Sequence, residues 1–126
     1  MTIVYDGDCG ICSAGIAVLR ARCARADVAF VASQSLAARE REAIEAQAGA
    51  GIFDRSVVLA ADGRITTGAR AVNAALALVF PRTAPLLAIV GGIAPLVAIE
   101  EAAYRLFARH RRALSRALGF TACATR

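Results

Sequence analysis

The sequence predicts an α/β domain. Three observations carry that expectation. Strand-like and helix-like segments alternate along the chain, 58% of its 126 residues are hydrophobic, and a Cys9-Gly10-Ile11-Cys12 segment falls between the first strand and the first helix. The length suits one domain. So apolar a chain can offset the entropy of ordering, which excludes extended disorder.

The elements follow in order. Thr2–Tyr5 is short, apolar and β-rich, and reads as a strand. Asp6-Gly7-Asp8 is a turn. Cys9 to about Arg25 reads as a helix, because Cys12, Ile16, Leu19 and Cys23 fall at i, i+4, i+7 and i+11 on one face; its late arginines suit the negative end of the helix dipole. Val28–Val31 is a second strand. Leu36 to about Gln47, rich in Ala, Glu and Arg, is a largely solvent-facing helix ended by Gly49 and Gly51. Ser56–Ala60 and Arg64–Thr67 form a hairpin around Asp62-Gly63, a pair that suits a type I′ turn. Ala69–Phe80 is a third helix, stopped by Pro81. A long helix from about Leu96 to Ala117 has its acids early and its arginines late.

A βαβ start with a CxxC at its first turn is the thioredoxin-type arrangement. The chain therefore reads as a single thioredoxin-like domain. Residues 1–80 form its core; residues 81–126 add an apolar segment and an Arg-rich helix.

The charge balance is modestly basic, 15 against 10, and every Lys/Arg position is Arg. The start of the chain has neither a charged n-region nor an apolar h-region, so a cytoplasmic location is expected. There, cysteines are seldom structural disulfides, and four of them (Cys9, Cys12, Cys23, Cys123) ask for a redox, metal or packing role. Ala84–Ile99 is apolar throughout, but 16 residues broken by Pro85, Gly91, Gly92 and Pro95 fall short of the roughly 20 a spanning helix needs. A segment buried in the fold or packed in an interface is expected.

The chemistry lies in the CxxC. A thiolate, not a thiol, is the nucleophile in disulfide exchange, and a free Cys has a pKa of about 8.5. At a helix start, unpaired N–H groups and the dipole favour the anionic sulfur. On this reading Cys9 attacks a disulfide, while Cys12, on the core-facing stripe, resolves the mixed disulfide. Asp6 and Asp8 oppose the thiolate by like charge, and Gly10-Ile11 adds no cation, so a pKa of about 7 is expected. Asp6 is placed to assist proton transfer at Cys12 and to cap the turn through nearby N–H groups, two compatible roles.

The segment Tyr5-Asp6-Gly7-Asp8-Cys9-Gly10-Ile11-Cys12 resembles the signature of the DCC family of thiol–disulfide oxidoreductases. Ser56-Val57-Val58-Leu59, Asp62-Gly63-Arg64 and Gly68-Ala69-Arg70-Ala71 look like that family's hairpin and following helix. Tyr104-Arg105 with Ala108-Arg109-His110-Arg111 looks like its last helix. The resemblance implies a four-stranded mixed sheet flanked by helices, with Cys9 and Cys12 as the redox pair and Asp6 as the motif acid. Ordinary thioredoxins carry a cis-proline before the third core strand. Here that region reads Phe53-Asp54-Arg55-Ser56, which leaves Arg55 and Ser56 as residues expected to line the site beside Asp8, Gly10 and Ile11.

Zinc is the weaker reading of the CxxC. Cys12 and Cys23 would lie about 16 Å apart on one helix, too far to share a metal or a disulfide, which needs Cα atoms within about 7 Å. Only Cys123 and His110 would remain as ligands, and neither a metal nor another cofactor is expected. Cys23 reads as a small buried hydrophobe, Cys123 as tail, and His110 as a solvated residue. The arginines of the last helix read as a solvated face, with a weak contact to an anionic membrane surface as a further expectation. Few aromatics interleave them, so no nucleic-acid partner is expected. The expected substrate is a protein or small-molecule disulfide or thiol. The alternative is a non-catalytic module that docks a partner or a membrane surface.

Overall fold

The computed structural model describes residues 1–119; the expectation for Cys123 lies outside them. Four strands, β1 (Thr2–Tyr5), β2 (Ala29–Ala32), β3 (Val58–Ala61) and β4 (Arg64–Thr67), form one mixed sheet in the order β2-β1-β3-β4. β1 and β2 are parallel, with Ile3 opposite Phe30. That pairing demands a crossover, which α1 (Gly10–Arg22) supplies. β1–β3 and β3–β4 are antiparallel. The β3–β4 hairpin turns at Asp62 and Gly63 with φ of 49° and 73°, as an Asp-Gly pair predicts.

Alternation along the central strands splits the core into two layers. Ile3, Tyr5 and Leu59 face α1 and α3 (Gly68–Val79), where they pack with Ile16, Ala71 and Ala75. Val4 and Val58 point the other way, to Ile44 of α2 (Ala38–Ala48) and to Ile52 and Phe53. Ile3, Val4 and Val58 have no exposed surface, so each contributes about 1.5–3 kcal/mol of burial.

The observed elements differ from the expectation at several ends. α1 stops at Arg22, with Cys23 as its C-cap. Cys23 is half-buried there rather than part of the core, because the chain has already left the helix. A single 3₁₀ turn (Ser33–Ser35) separates β2 from α2, and β3 begins at Val58, leaving Ser56 ahead of the strand.

The larger difference concerns the apolar segment. It folds as α4 (Ala84–Gly92) and the first turns of α5 (Ala94–Ala117). The proline in each first turn suits a helix start. No residue of α4 is buried, and Leu86, Ile89 and Ile99 are each more than 60% exposed, so the segment is not packed within the fold. No described helix is long and apolar enough to cross a membrane by itself, and the two helices meet at 103°.

α5 returns across the domain and lies against α1 and α3. Its Tyr104 hydroxyl accepts the Val57 N–H (2.8 Å), and its Glu100 carboxylate accepts from Asn73 (3.0 Å). Gly68, at the start of α3, has φ of 68°, and a Cβ there would meet the Glu101 carboxylate at 2.8 Å. The last helix is thereby drawn close over the start of α3.

Candidate redox site

β1 delivers the chain to the top of the sheet at Tyr5, and Asp6-Gly7-Asp8 turns it into α1. The turn is held by its own first carboxylate. Asp6 Oδ1 accepts the Asp8 N–H (3.0 Å) and the Gln34 side-chain amide (3.1 Å). Gln34, after β2, also donates to Asp8 Oδ2 and accepts the Gly7 N–H, both at 3.1 Å. Asp6 is therefore the turn cap that one of its two sequence readings described, and Gln34 is a brace that the sequence did not reveal.

Cys9 is the N-cap of α1, and its sulfur accepts the Cys12 N–H at 3.3 Å. The Cys9 carbonyl accepts the Ser13 N–H (2.9 Å), and the Ile11 N–H donates to Ser115 Oγ of α5 (3.0 Å). Cys9 and Cys12 are joined as a disulfide, with Cα atoms 5.2 Å apart. The helix-start placement of Cys9 is as expected. Its accessibility is not: Cys9 is wholly buried, whereas Cys12 is half-buried and lines a cavity. The N-cap sulfur is folded inward against the first amides of the helix, with α5 packed beside them.

Sequence reasoning missed Arg111 as well. The arginines of α5 were expected to form a solvated face, yet Arg111 and Asp6 are each only 3% exposed. Arg111 Nη2 donates to Asp6 Oδ2 (2.9 Å) and to the Asp54 carbonyl (2.7 Å), while Nη1 lies 3.9 Å from Cys12 Sγ. Burying a lone carboxylate is costly unless a counter-ion is buried with it, and Arg111 supplies that charge. Arg112, largely exposed, approaches the same oxygen at 3.8 Å. The Asp of the motif thus caps the turn and also anchors the last helix by its one buried cation among the described residues.

The remaining expected residues divide. Gly10 and Ile11 stand at the helix start, and Ile11 lines the cavity of about 450 Å³ that Cys12 borders, with Ile16, Leu76, Phe80 and Phe107. Arg111 is its single charged wall among the described residues. Arg55 lies beside Arg111 in a second, basic cavity. Ser56 lines neither; its hydroxyl accepts the Gly68 N–H (2.6 Å) and donates to the Val57 carbonyl (2.9 Å), so it holds the junction of β3 and α3. Asp8 is exposed beside the turn. His110 is exposed, with Nδ1 3.0 Å from the Leu106 carbonyl.

A disulfide at a helix start can accept electrons from an incoming thiolate and return them when reduced. A family model described as DCC1-like thiol-disulfide oxidoreductase matches residues 3–117. No curated protein and no solved structure matches the chain.

Proposed function

The chain belongs to the DCC1-like thiol–disulfide oxidoreductase family, and from that premise we propose that it catalyses thiol–disulfide exchange through Cys9 and Cys12. One observation carries the proposal. The pair closes at the start of α1, with the Cys12 N–H directed at Cys9 Sγ and the Arg111 guanidinium 3.9 Å from Cys12 Sγ. Helix amides and a buried cation both favour thiolates, so the reduced form is stabilised at each sulfur by a different group.

Burial supports one order of attack. An incoming thiolate meets the half-buried Cys12 and expels Cys9 as a thiolate among the helix-start amides. Read in the reductive direction, Cys12 forms the mixed disulfide and the Cys9 thiolate closes the ring. The roles are then exchanged relative to the sequence expectation, in which Cys9 attacks and Cys12 resolves. Single-cysteine variants distinguish the two orders. If reduced Cys9→Ser traps a mixed disulfide with a model disulfide, releasing one thiolate, and reduced Cys12→Ser does not, Cys12 is the contact sulfur. Trapping only in Cys12→Ser restores Cys9 to that role, and no trapping in either variant, with no disulfide reduction by the native protein, defeats the redox reading.

A second reading concerns where the protein acts. No charge interrupts the chain between Arg82 and Glu100, and Leu86, Ile89, Ile93, Leu96 and Ile99 are all exposed. An exposed helix with no polar face is more stable against lipid than in water, and the arginines of α5 favour anionic lipid. Co-sedimentation with phosphatidylglycerol vesicles but not phosphatidylcholine vesicles, lost in Leu86→Glu/Ile89→Glu, is the expected result. Equal partitioning of native and variant protein refutes it.

A further inference from the structure

A cavity of about 670 Å³ shares Arg111 with the apolar cavity that Cys12 borders, and is walled by Arg55, Arg105, Arg109, Arg111 and Arg112 with Asp54 as the one acid among its described lining residues. We infer that it binds the anionic groups of a low-molecular-weight disulfide and places that disulfide at Cys12. The inference deepens the dithiol reading and rests on it.

Two features set this cavity apart from an ordinary basic surface. Its arginines are largely unanswered: among the described residues, Arg55, Arg105 and Arg109 form no ion pair, and the only carboxylate within ion-pair distance of Arg111 and Arg112 is Asp6. Arg55 is also held in place, its Nη2 donating to the Ala50 carbonyl at 2.8 Å. The volume lies within the range of small-molecule sites, roughly 300–1,000 Å³. The link to chemistry is Arg111, which is a wall of this cavity, a wall of the apolar cavity, and a neighbour of Cys12 Sγ at 3.9 Å. A carboxylate received by Arg105, Arg109 and Arg112 therefore lies on one side of Arg111 and the sulfur of Cys12 on the other. Guanidinium groups in a concave wall suit carboxylate and phosphate oxygens through paired hydrogen bonds.

The reaction balances without another reagent. The Cys12 thiolate attacks one sulfur of R–S–S–R, forming a Cys12–S–R bond and releasing RS⁻. The Cys9 thiolate then attacks Cys12, closing the Cys9–Cys12 bond and releasing a second RS⁻. Two electrons pass from the dithiol to the substrate, and the two thiol protons leave with the two products. Charge in the cavity acts on the encounter and on both RS⁻ groups as they form.

The test uses the reduced full chain and three disulfides of similar size: 3,3′-dithiodipropionate (dianionic), 2-hydroxyethyl disulfide (neutral) and cystamine (dicationic). Each rate is divided by that of dithiothreitol with the same disulfide, which removes intrinsic reactivity. At low ionic strength the dianion is expected to exceed the neutral compound by at least about tenfold. The ratio should shrink in 0.5 M salt and fall towards one in Arg105→Ala/Arg109→Ala. Equal or reversed normalised rates overturn the inference, and so does a preference that survives the double variant. A binding readout separates this from failure of the dithiol reading. In the oxidised protein, glutarate should shift the Nε–H NMR signals of Arg105 and Arg109. If it leaves them unmoved, the cavity is no anion site whatever the turnover; if it moves them while no disulfide of any charge is reduced, the dithiol reading fails and the substrate assignment falls with it.

Discussion

Replacing Arg111 by Met keeps an unbranched stem of similar reach and removes the guanidinium. The structure sets the cost. Asp6 Oδ1 retains the Asp8 N–H and Gln34, but Oδ2 loses its 2.9 Å partner and is left with Arg112 at 3.8 Å. Breaking a buried pair by removing one member costs about 3–5 kcal/mol, and the surviving contacts place this case at the lower end, about 3 kcal/mol. Urea unfolding of the oxidised protein measures it, as a fall in midpoint with an unchanged slope. Asp6→Leu alone should cost a comparable amount, while the double variant should cost less than the two together by about 2 kcal/mol or more, since neither charge is then stranded. The same substitution reads on the redox centre. Arg111 favours a thiolate at Cys12, so its loss disfavours the reduced form and lowers the reduction potential, by about 30 mV for each 1.4 kcal/mol of lost stabilisation. A single-variant cost below about 1 kcal/mol, or strict additivity in the double variant, refutes the assignment of Arg111 as the buried counter-ion.

Three further outcomes follow from the same geometry. Gly68→Ala should destabilise the protein by about 1–2 kcal/mol, read as a lowered melting temperature, because a side chain at φ of 68° is strained and its Cβ would crowd Glu101. Ser115→Ala removes the acceptor of the Ile11 N–H; a loss of about 1 kcal/mol, with faster hydrogen exchange at Ile11 and no change at Ile3, is expected. The rate of iodoacetamide alkylation at Cys9 in the reduced Cys12→Ser protein, followed by mass spectrometry of the Cys9 peptide, should titrate below the free-thiol pKa of about 8.5, and an inflection at or above the free value contradicts thiolate stabilisation at Cys9.

What the sequence revealed was local. The β1 strand, the Asp6–Asp8 turn, the helix start at Cys9 and the Asp62-Gly63 hairpin depend on neighbours a few residues apart, so propensity and spacing were enough to place them. The helix ends were less legible because capping by Cys23 depends on where β2 draws the chain. The Arg111–Asp6 pair joins residues 105 apart, and no local pattern announces a partner at that distance. A faint signal exists: Tyr104, Ala108, Arg111 and Ser115 fall at i, i+4, i+7 and i+11, one helical stripe, and all four are buried or half-buried. An arginine on an inward stripe asks for a buried acid, and Asp6 of the motif was available. The exposure of Leu86 and Ile89 was not legible, because hydrophobicity alone does not say which apolar helix is left without a partner.

The closing of the redox centre by α5 bears on how the chain matures. Tyr104, Arg111 and Ser115 emerge from the ribosome long after Cys9 and Cys12. Until they arrive, the sheet's first strands present a dithiol with no cation beside it and no acceptor over Ile11. A nascent chain in that condition meets oxidants and thiols unshielded, and its cysteines acquire their tuned surroundings only once the segment carrying Tyr104, Arg111 and Ser115 has been made and has docked.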